Sequence, residues 1–230
     1  MVGPEVKSLQ FFLESKELKR FEKSSLAGLI LAGGKSRRMN LFDKSQKELD
    51  NETLLERQIK KVANQLDIII INSNSCRIKT EYEKFPVLKD LFTGNLGPLA
   101  GIYTGLEWLQ RKKKNVKWLF TFPVDSPFFP DNIVETFLKN YNDEKIIIAK
   151  SGENIHPVFA MWSVDLIKEL ENSLKKKILK IDAFTKNFKF KVVNFPIFDY
   201  DPFFNINNEL DLLNAEKIQK TLNKRGAKKL

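Results

Sequence analysis

The feature that most restricts this chain is an apolar run that gives way at once to residues of almost no volume. Leu26-Ala-Gly-Leu-Ile-Leu31 is followed by Ala32, Gly33 and Gly34, and then by Lys35, Arg37, Arg38 and Lys44. The apolar run reads as a buried strand. The small residues after it let the backbone come close to a ligand. Backbone N–H groups in a glycine loop, followed by fixed cations, suit an anion and a phosphate chain in particular, which makes a nucleotide the natural occupant. The plainer alternative is a strand that ends in a tight Gly-Gly turn with solvated cations.

Two familiar phosphate loops are excluded. Gly34-Lys35-Ser36 imitates the end of a Walker A motif, but that motif needs glycine where Leu29 stands, and Gly28 is one residue out of register. The adjacent glycines also fail the G-x-G-x-x-G dinucleotide fingerprint.

A chain of 230 residues with 42% hydrophobic content is long enough for one substantial core. No apolar stretch approaches the ~20 residues of a membrane span, so no membrane partner is expected. The first residues lack an apolar signal core, which makes the cytoplasm the expected compartment. Cys76 is the only cysteine, so neither an internal disulfide nor a cysteine metal cluster can form. The formal net charge is +10, spread over Lys112–Lys114, Lys175–Lys177 and a tail from Lys217 to Lys229 with few interleaved aromatics. That pattern reads as solvated faces compatible with nucleotide and phosphate substrates, and no nucleic acid partner is expected.

The expected organisation is an N-terminal extension over 1–25, helical by its spacing of Phe11, Phe12, Leu18 and Phe21, then one domain over 26–220 and a basic tail over 221–230. Within the domain, Thr53 and Glu56 have capping-box spacing, and Leu55, Ile59, Val62 and Leu66 follow on one face. The apolar run ending at Asn72 is a further buried strand, which completes a right-handed βαβ unit. Val116–Phe122 is the next core strand. Lys145–Ala149 and Val158–Trp162 are two more, joined by residues 150–157, and Lys191–Phe195 is another. A final helix follows, with Leu210, Leu213 and Ile218 as its apolar face. The fold class is therefore α/β, a Rossmann-like, mainly parallel sheet with helices on both faces.

Candidate site residues stand where strands end. Asn72 and Asn74 could read a base edge or could be turn chemistry, and Asp90 is ambiguous alone. Gly97, in a glycine-rich loop, opens a helix whose N-terminus suits an anion or a base, or is simple loop punctuation. Asp125, at the tip of a central strand, should hold a cation or cap a helix. Because Asp131 is better placed as a cap, Asp125 is left for Mg²⁺, which binds nucleotides through one or two carboxylates plus phosphate oxygens. His156 is the only histidine, so no histidine triad or metal cluster can be built on it, and a lone histidine before proline is more often structural. Asn205 and Asn207 flank Ile206, so in an extended backbone both amides share a face. Asn207 could equally cap the last helix.

Leu31-Ala-Gly-Gly-Lys-Ser-Arg-Arg-Met39 with Asp43-Lys44 resembles the signature of the molybdenum cofactor guanylyltransferase family, within the nucleotidyltransferases of nucleotide-diphospho-sugar transferase-like fold. The resemblance continues in order through Ile71–Asn74, Asp90, Gly97-Pro-Leu-Ala-Gly101, Pro123-Val-Asp-Ser-Pro127, His156-Pro157 and Asn205-Ile-Asn207. It implies that Leu31, Ala32, Gly33, Gly34, Asn72, Asp90 and Gly97 bind the nucleotide, that Arg38 and Lys44 surround its triphosphate, and that Asp125 carries Mg²⁺. It puts His156, Asn205 and Asn207 on the acceptor side. The implied partners are GTP, the molybdopterin cofactor, and other proteins that make or receive that cofactor. The implied reaction moves GMP from GTP onto molybdenum-bound molybdopterin. Ala32-Gly33-Gly34 stands where related cytidylyltransferases have Ala-Ala-Gly, and the missing Cβ at Gly33 leaves room for a purine. Asn40 replaces the family's usual glycine, and Asn208-Glu209 its usual Thr-Pro. The competing expectations are a relative that uses CTP or another phosphorylated acceptor, and a basic binding protein without activity.

Overall fold

A computed structural model of the chain describes residues 21–33, 44–74, 84–94 and 96–227. The apolar run at its head is β1 (Leu26–Leu31), which pairs in parallel with β4 (Ile68–Asn72) on one side and β6 (Trp118–Pro123) on the other. β5 (Val87–Leu88) extends the sheet beyond β4, while β8 (Asn154–Ser163), β7 (Ile146–Ser151) and β9 (Phe190–Phe195) extend it beyond β6. The order is β5-β4-β1-β6-β8-β7-β9, and β8 alone runs against the rest. Strands covered on both faces need apolar residues throughout, which is why β1 and β4 read as unbroken hydrophobic runs.

Two cores result. On one face α1 (Leu54–Ala63), α3 (Ile133–Asn140) and α6 (Glu209–Ala227) pack on side chains such as Ile30, Ile71 and Phe122. On the other α2 (Pro98–Lys112), α4 (Ile167–Lys175) and α5 (Ile181–Thr185) cover Leu29, Ile70 and Trp162. Gly28 keeps α1 close, because a Cβ there would lie 2.8 Å from Val62 Cγ1. The short hairpin β2 (Glu48–Leu49) and β3 (Glu52–Thr53) turns through Asp50 and Asn51, both at positive φ. It delivers Thr53 to its capping box, with the Glu56 N–H donating to Thr53 Oγ1 and the Thr53 N–H to Glu56 Oε2. No described helix is long and apolar enough to cross a membrane.

Four expectations change. Residues 150–157 are no open connection: the chain turns at Gly152 and Glu153, and His156-Pro157 lie within β8. The pairing jumps from Ile148↔Ala160 to Ala149↔His156, so residues 157–159 bulge, as suits a proline with no N–H for the ladder. Asp131 does not cap α3: its N-cap is Asn132 without a side-chain bond, because Asp131 pairs with Lys61 of α1. In α6, Leu210 and Leu213 are exposed, and the packed face is Leu212, Ala215, Ile218 and Leu222. That helix also runs through most of the segment read as a basic tail. Phe21, ahead of β1, is buried against the core and meets Tyr141 edge to face.

Candidate active site

The chain leaves β1 for β4 and β5 on one side, then returns to place β6 on the other. The crevice at the carboxyl ends of β1 and β6 is therefore a topological switch point, where open α/β sheets bind ligands. Leu31 is paired with Pro123 there, so Gly33 just beyond one strand and Asp125 just beyond the other line the same cleft of about 600 Å³.

Lys44 opens a short helical turn, and its Nζ donates to Asp125 Oδ2 at 2.9 Å and to Asn207 Oδ1 at 2.9 Å. The Lys44 and Asp125 side chains keep only 14% and 18% of their exposure. The backbone carbonyl of Asp125 accepts the Ile206 N–H at 2.8 Å, which fastens the Asn205–Asn207 segment to the Asp125 loop. Ile206 is buried, Asn205 lines the cleft, and the Asn207 side chain is spent on Lys44. Asn207 is not the helix cap. Asn208 Oδ1 accepts the Asp211 N–H, while the Asp211 carboxylate accepts from the N–H groups of Asn207 and Asn208. The Asn208 that departs from the family's Thr-Pro thus supplies a cap of its own.

At the β4 end of the cleft, Asn72 and Asn74 line the pocket and together hold a carboxylate. Their amides donate to Asp90 Oδ1 at 2.9 Å and to Oδ2 at 2.8 Å, and the Asp90 N–H returns a bond to Asn74 Oδ1. Asp90 is thereby held at both carboxylate oxygens. Asn72 also has α2 pressed against it: a Cβ on Gly101 would collide with Asn72 Oδ1 and lie 2.7 Å from Leu31 Cδ2. Gly97, at φ 74°, is the residue before α2 and lines the cleft. Ala32 is buried, and its N–H donates to the Asn72 carbonyl.

At the opposite end, His156 Nε2 is 2.7 Å from Ser151 Oγ, and its ring lies against Phe203 with centroids 4.7 Å apart. Burial lowers its pKa below the ordinary imidazole value, and Asp201 opposes that shift.

The cleft thus unites Leu31, Gly33, Lys44, Asn72 and Asp90 with Gly97, Asp125, His156 and Asn205. Asn207 joins through Lys44. Gly34 and Arg38 lie outside the described residues. Gln58, Ser151 and Asp201 escaped sequence reasoning. Gln58 is a wholly buried polar residue on the apolar stripe of α1, and its Nε2 donates to the carbonyls of Pro123 and Ser126 on either side of Asp125. A glutamine amid Leu55, Ile59 and Val62 was the available signal. Ser151 and Asp201 had none, since they meet only through the fold.

The described residues hold no group of three His, Cys, Asp or Glu side chains that could cage a metal alone. Asp125 fits the other kind of site. It offers one partly exposed carboxylate at the cleft, suited to an ion that draws its remaining ligands from nucleotide phosphates and water. Lys44 must share or release that carboxylate for such an ion to bind.

Residues 28–186 match the MobA-like NTP transferase domain. The chain belongs to this family. A molybdenum cofactor guanylyltransferase of Rhodopseudomonas palustris (strain BisB5) is 34% identical over 193 residues, covering 83% of this chain and 92% of the relative. The guanylyltransferase of Nitrobacter hamburgensis is 36% identical over 194 residues, covering 83% of this chain and 93% of its own. Among solved structures, molybdopterin-guanine dinucleotide biosynthesis protein A from Archaeoglobus fulgidus superposes with a TM-score of 0.64 at 24% identity. That match covers 85% of this chain and 99% of the archaeal one, and it shows the shared MobA-like fold.

Proposed function

We propose that this MobA-like protein is a molybdenum cofactor guanylyltransferase that acts in the cytoplasm, moving GMP from GTP to the terminal phosphate of molybdenum-bound molybdopterin and releasing pyrophosphate. The observation that carries this is the Lys44–Asp125 pair at the switch point, set between an amide-held carboxylate at one end of the cleft and His156 at the other.

A phosphate oxygen of the acceptor attacks the α-phosphorus of GTP. As that P–O bond forms, the bond to the bridging α–β oxygen breaks, and this oxygen leaves with pyrophosphate. The nucleophile is already an anion at neutral pH, so no strong general base has to touch it. The protein's work is positioning and charge neutralisation. Lys44 supplies a fixed cation to the triphosphate, beside the open backbone of Gly33 just beyond β1. A magnesium ion held by Asp125 would neutralise charge on the triphosphate and on the departing pyrophosphate.

Asp90 supports the choice of base. A carboxylate accepts only, and guanine offers it two adjacent donors, the ring N1–H and the exocyclic amine, on its pairing edge. Gly33 is consistent with a purine. A Cβ there would lie 3.7 Å from both Asn72 Oδ1 and Asn74 Nδ2, filling space over the amides that fix Asp90. The test is pyrophosphate release with molybdenum-bound molybdopterin, Mg²⁺ and each of GTP, CTP, ATP and UTP. GTP should be used in preference; preference for CTP, or no release with any of them, overturns the proposal.

A further inference from the structure

Ser151, the last residue of β7, is wholly buried. Its Oγ lies 2.7 Å from Asp201 Oδ1 and 2.7 Å from His156 Nε2. A hydroxyl has one proton to give. Asp201 Oδ1 already accepts the Phe203 N–H at 2.9 Å and acts as an acceptor, so the Ser151 proton goes to it. The serine oxygen must then accept from the imidazole. Nε2 therefore carries the ring hydrogen, and in the neutral ring favoured by burial Nδ1 keeps its lone pair. Nδ1 has no partner among the described residues, and His156 lines the cleft. The bulge at residues 157–159 is what brings His156 opposite Ala149, two residues from Ser151.

We infer that Ser151 and Asp201 are positioning residues that fix His156 as its Nε2–H tautomer, so that Nδ1 accepts a hydrogen bond from the body of the acceptor substrate. A lone pair repels an anionic phosphate oxygen. The group it reads is an N–H or O–H donor such as a pterin ring carries. Assigning this end of the cleft to the acceptor rests on the proposed function; the tautomer does not.

Because His156 is the only histidine, ¹⁵N-histidine labelling gives one imidazole whose tautomer is read directly by NMR. The wild type should show the Nε2–H form, and Ser151→Ala and Asp201→Asn should each relax it to a mixture. A phosphorylated pterin, titrated without nucleotide, should shift the Nδ1 resonance. In turnover, the variants should raise the acceptor KM roughly 3- to 10-fold, as the loss of one neutral hydrogen bond implies, and leave the GTP KM within about twofold. An Nδ1–H tautomer in the wild type, or variants with unchanged tautomer and acceptor KM, overturns the inference. An unmoved Nδ1 resonance on pterin addition overturns its acceptor half. If GTP supports no pyrophosphate release but the tautomer and pterin response are as expected, the proposed function fails and the positioning role stands. Should Ser151→Ala not fold, the wild-type tautomer and Asp201→Asn still decide it.

Discussion

Lys44 and Asp125 stand 81 residues apart in sequence and meet with 2.9 Å between Nζ and Oδ2. Each charge offsets the desolvation of the other, and both keep a face on the cleft. Under the proposed function a triphosphate would compete for Lys44 and a cation for Asp125, so each ligand would free the partner that the other needs. Asp125→Ala and Lys44→Ala should each lower kcat by roughly 100-fold or more, the scale of losing a preorganised charge at the reacting phosphates. Steady-state pyrophosphate release checks this, and near-normal activity in either variant removes that residue from the mechanism.

Gln58 should report on the same loop from behind. Its amide satisfies the carbonyls of Pro123 and Ser126, the two residues that bracket Val124 and Asp125. Gln58→Leu keeps the volume and leaves both acceptors without that donor, at a cost of about 2 kcal/mol. For a domain of this size that is a Tm lower by roughly 4–8 °C. Turnover should fall as well, because the carboxylate loses its support. Thermal melts paired with kinetics on one preparation test both effects.

Gly101 tests how the base end is built. Gly101→Ala forces a Cβ into Asn72 Oδ1, and Asn72 can move only by giving up Asp90. The loss of a charge-assisted hydrogen bond from the carboxylate should raise the GTP KM about tenfold. CTP and ATP, which present fewer donors, should be affected less.

His156 gives the protein an acid-side weakness. Its folded pKa lies below the ordinary value of about 6.5 because burial disfavours the imidazolium, so on acidification the unfolded chain takes up this proton first. Between the folded and unfolded pKa values the unfolded state binds more protons. Stability then rises with pH in that window and is lost as pH falls through it, with no contribution above about 6.5. The difference in melting temperature between wild type and His156→Gln should be constant from pH 7.5 to 6.5 and change at pH 5.5, with the wild type losing more on acidification.

Much of this was legible in the sequence. β1, β4 and β6 declared themselves as apolar runs because a strand covered on both faces has no room for alternation. The Thr53–Glu56 cap is a local bond between residues three apart, so spacing alone revealed it. The cleft candidates were found because ligands sit where parallel strands end. What stayed hidden depends on distant partners. Asp125 looked free because nothing near it in sequence is a cation, and Asp131 looked like a cap because Lys61 lies on another element. Polar residues 150–157 mimic a connection, and only the hairpin register reveals His156 as part of a strand. In α6, Leu210, Leu212 and Leu213 spread over about 160° of the helix surface, so the packed face was decided by contacts with the core and not by spacing.

The most direct measurement is calorimetric titration of GTP, CTP and ATP into the wild-type protein and Asp125→Ala, each with and without Mg²⁺. GTP should bind tightest, its affinity should rise with Mg²⁺, and that Mg²⁺-dependent gain should vanish in Asp125→Ala. Tighter binding of CTP, or a magnesium effect that survives the loss of Asp125, would contradict a guanine nucleotide site completed by metal at this carboxylate.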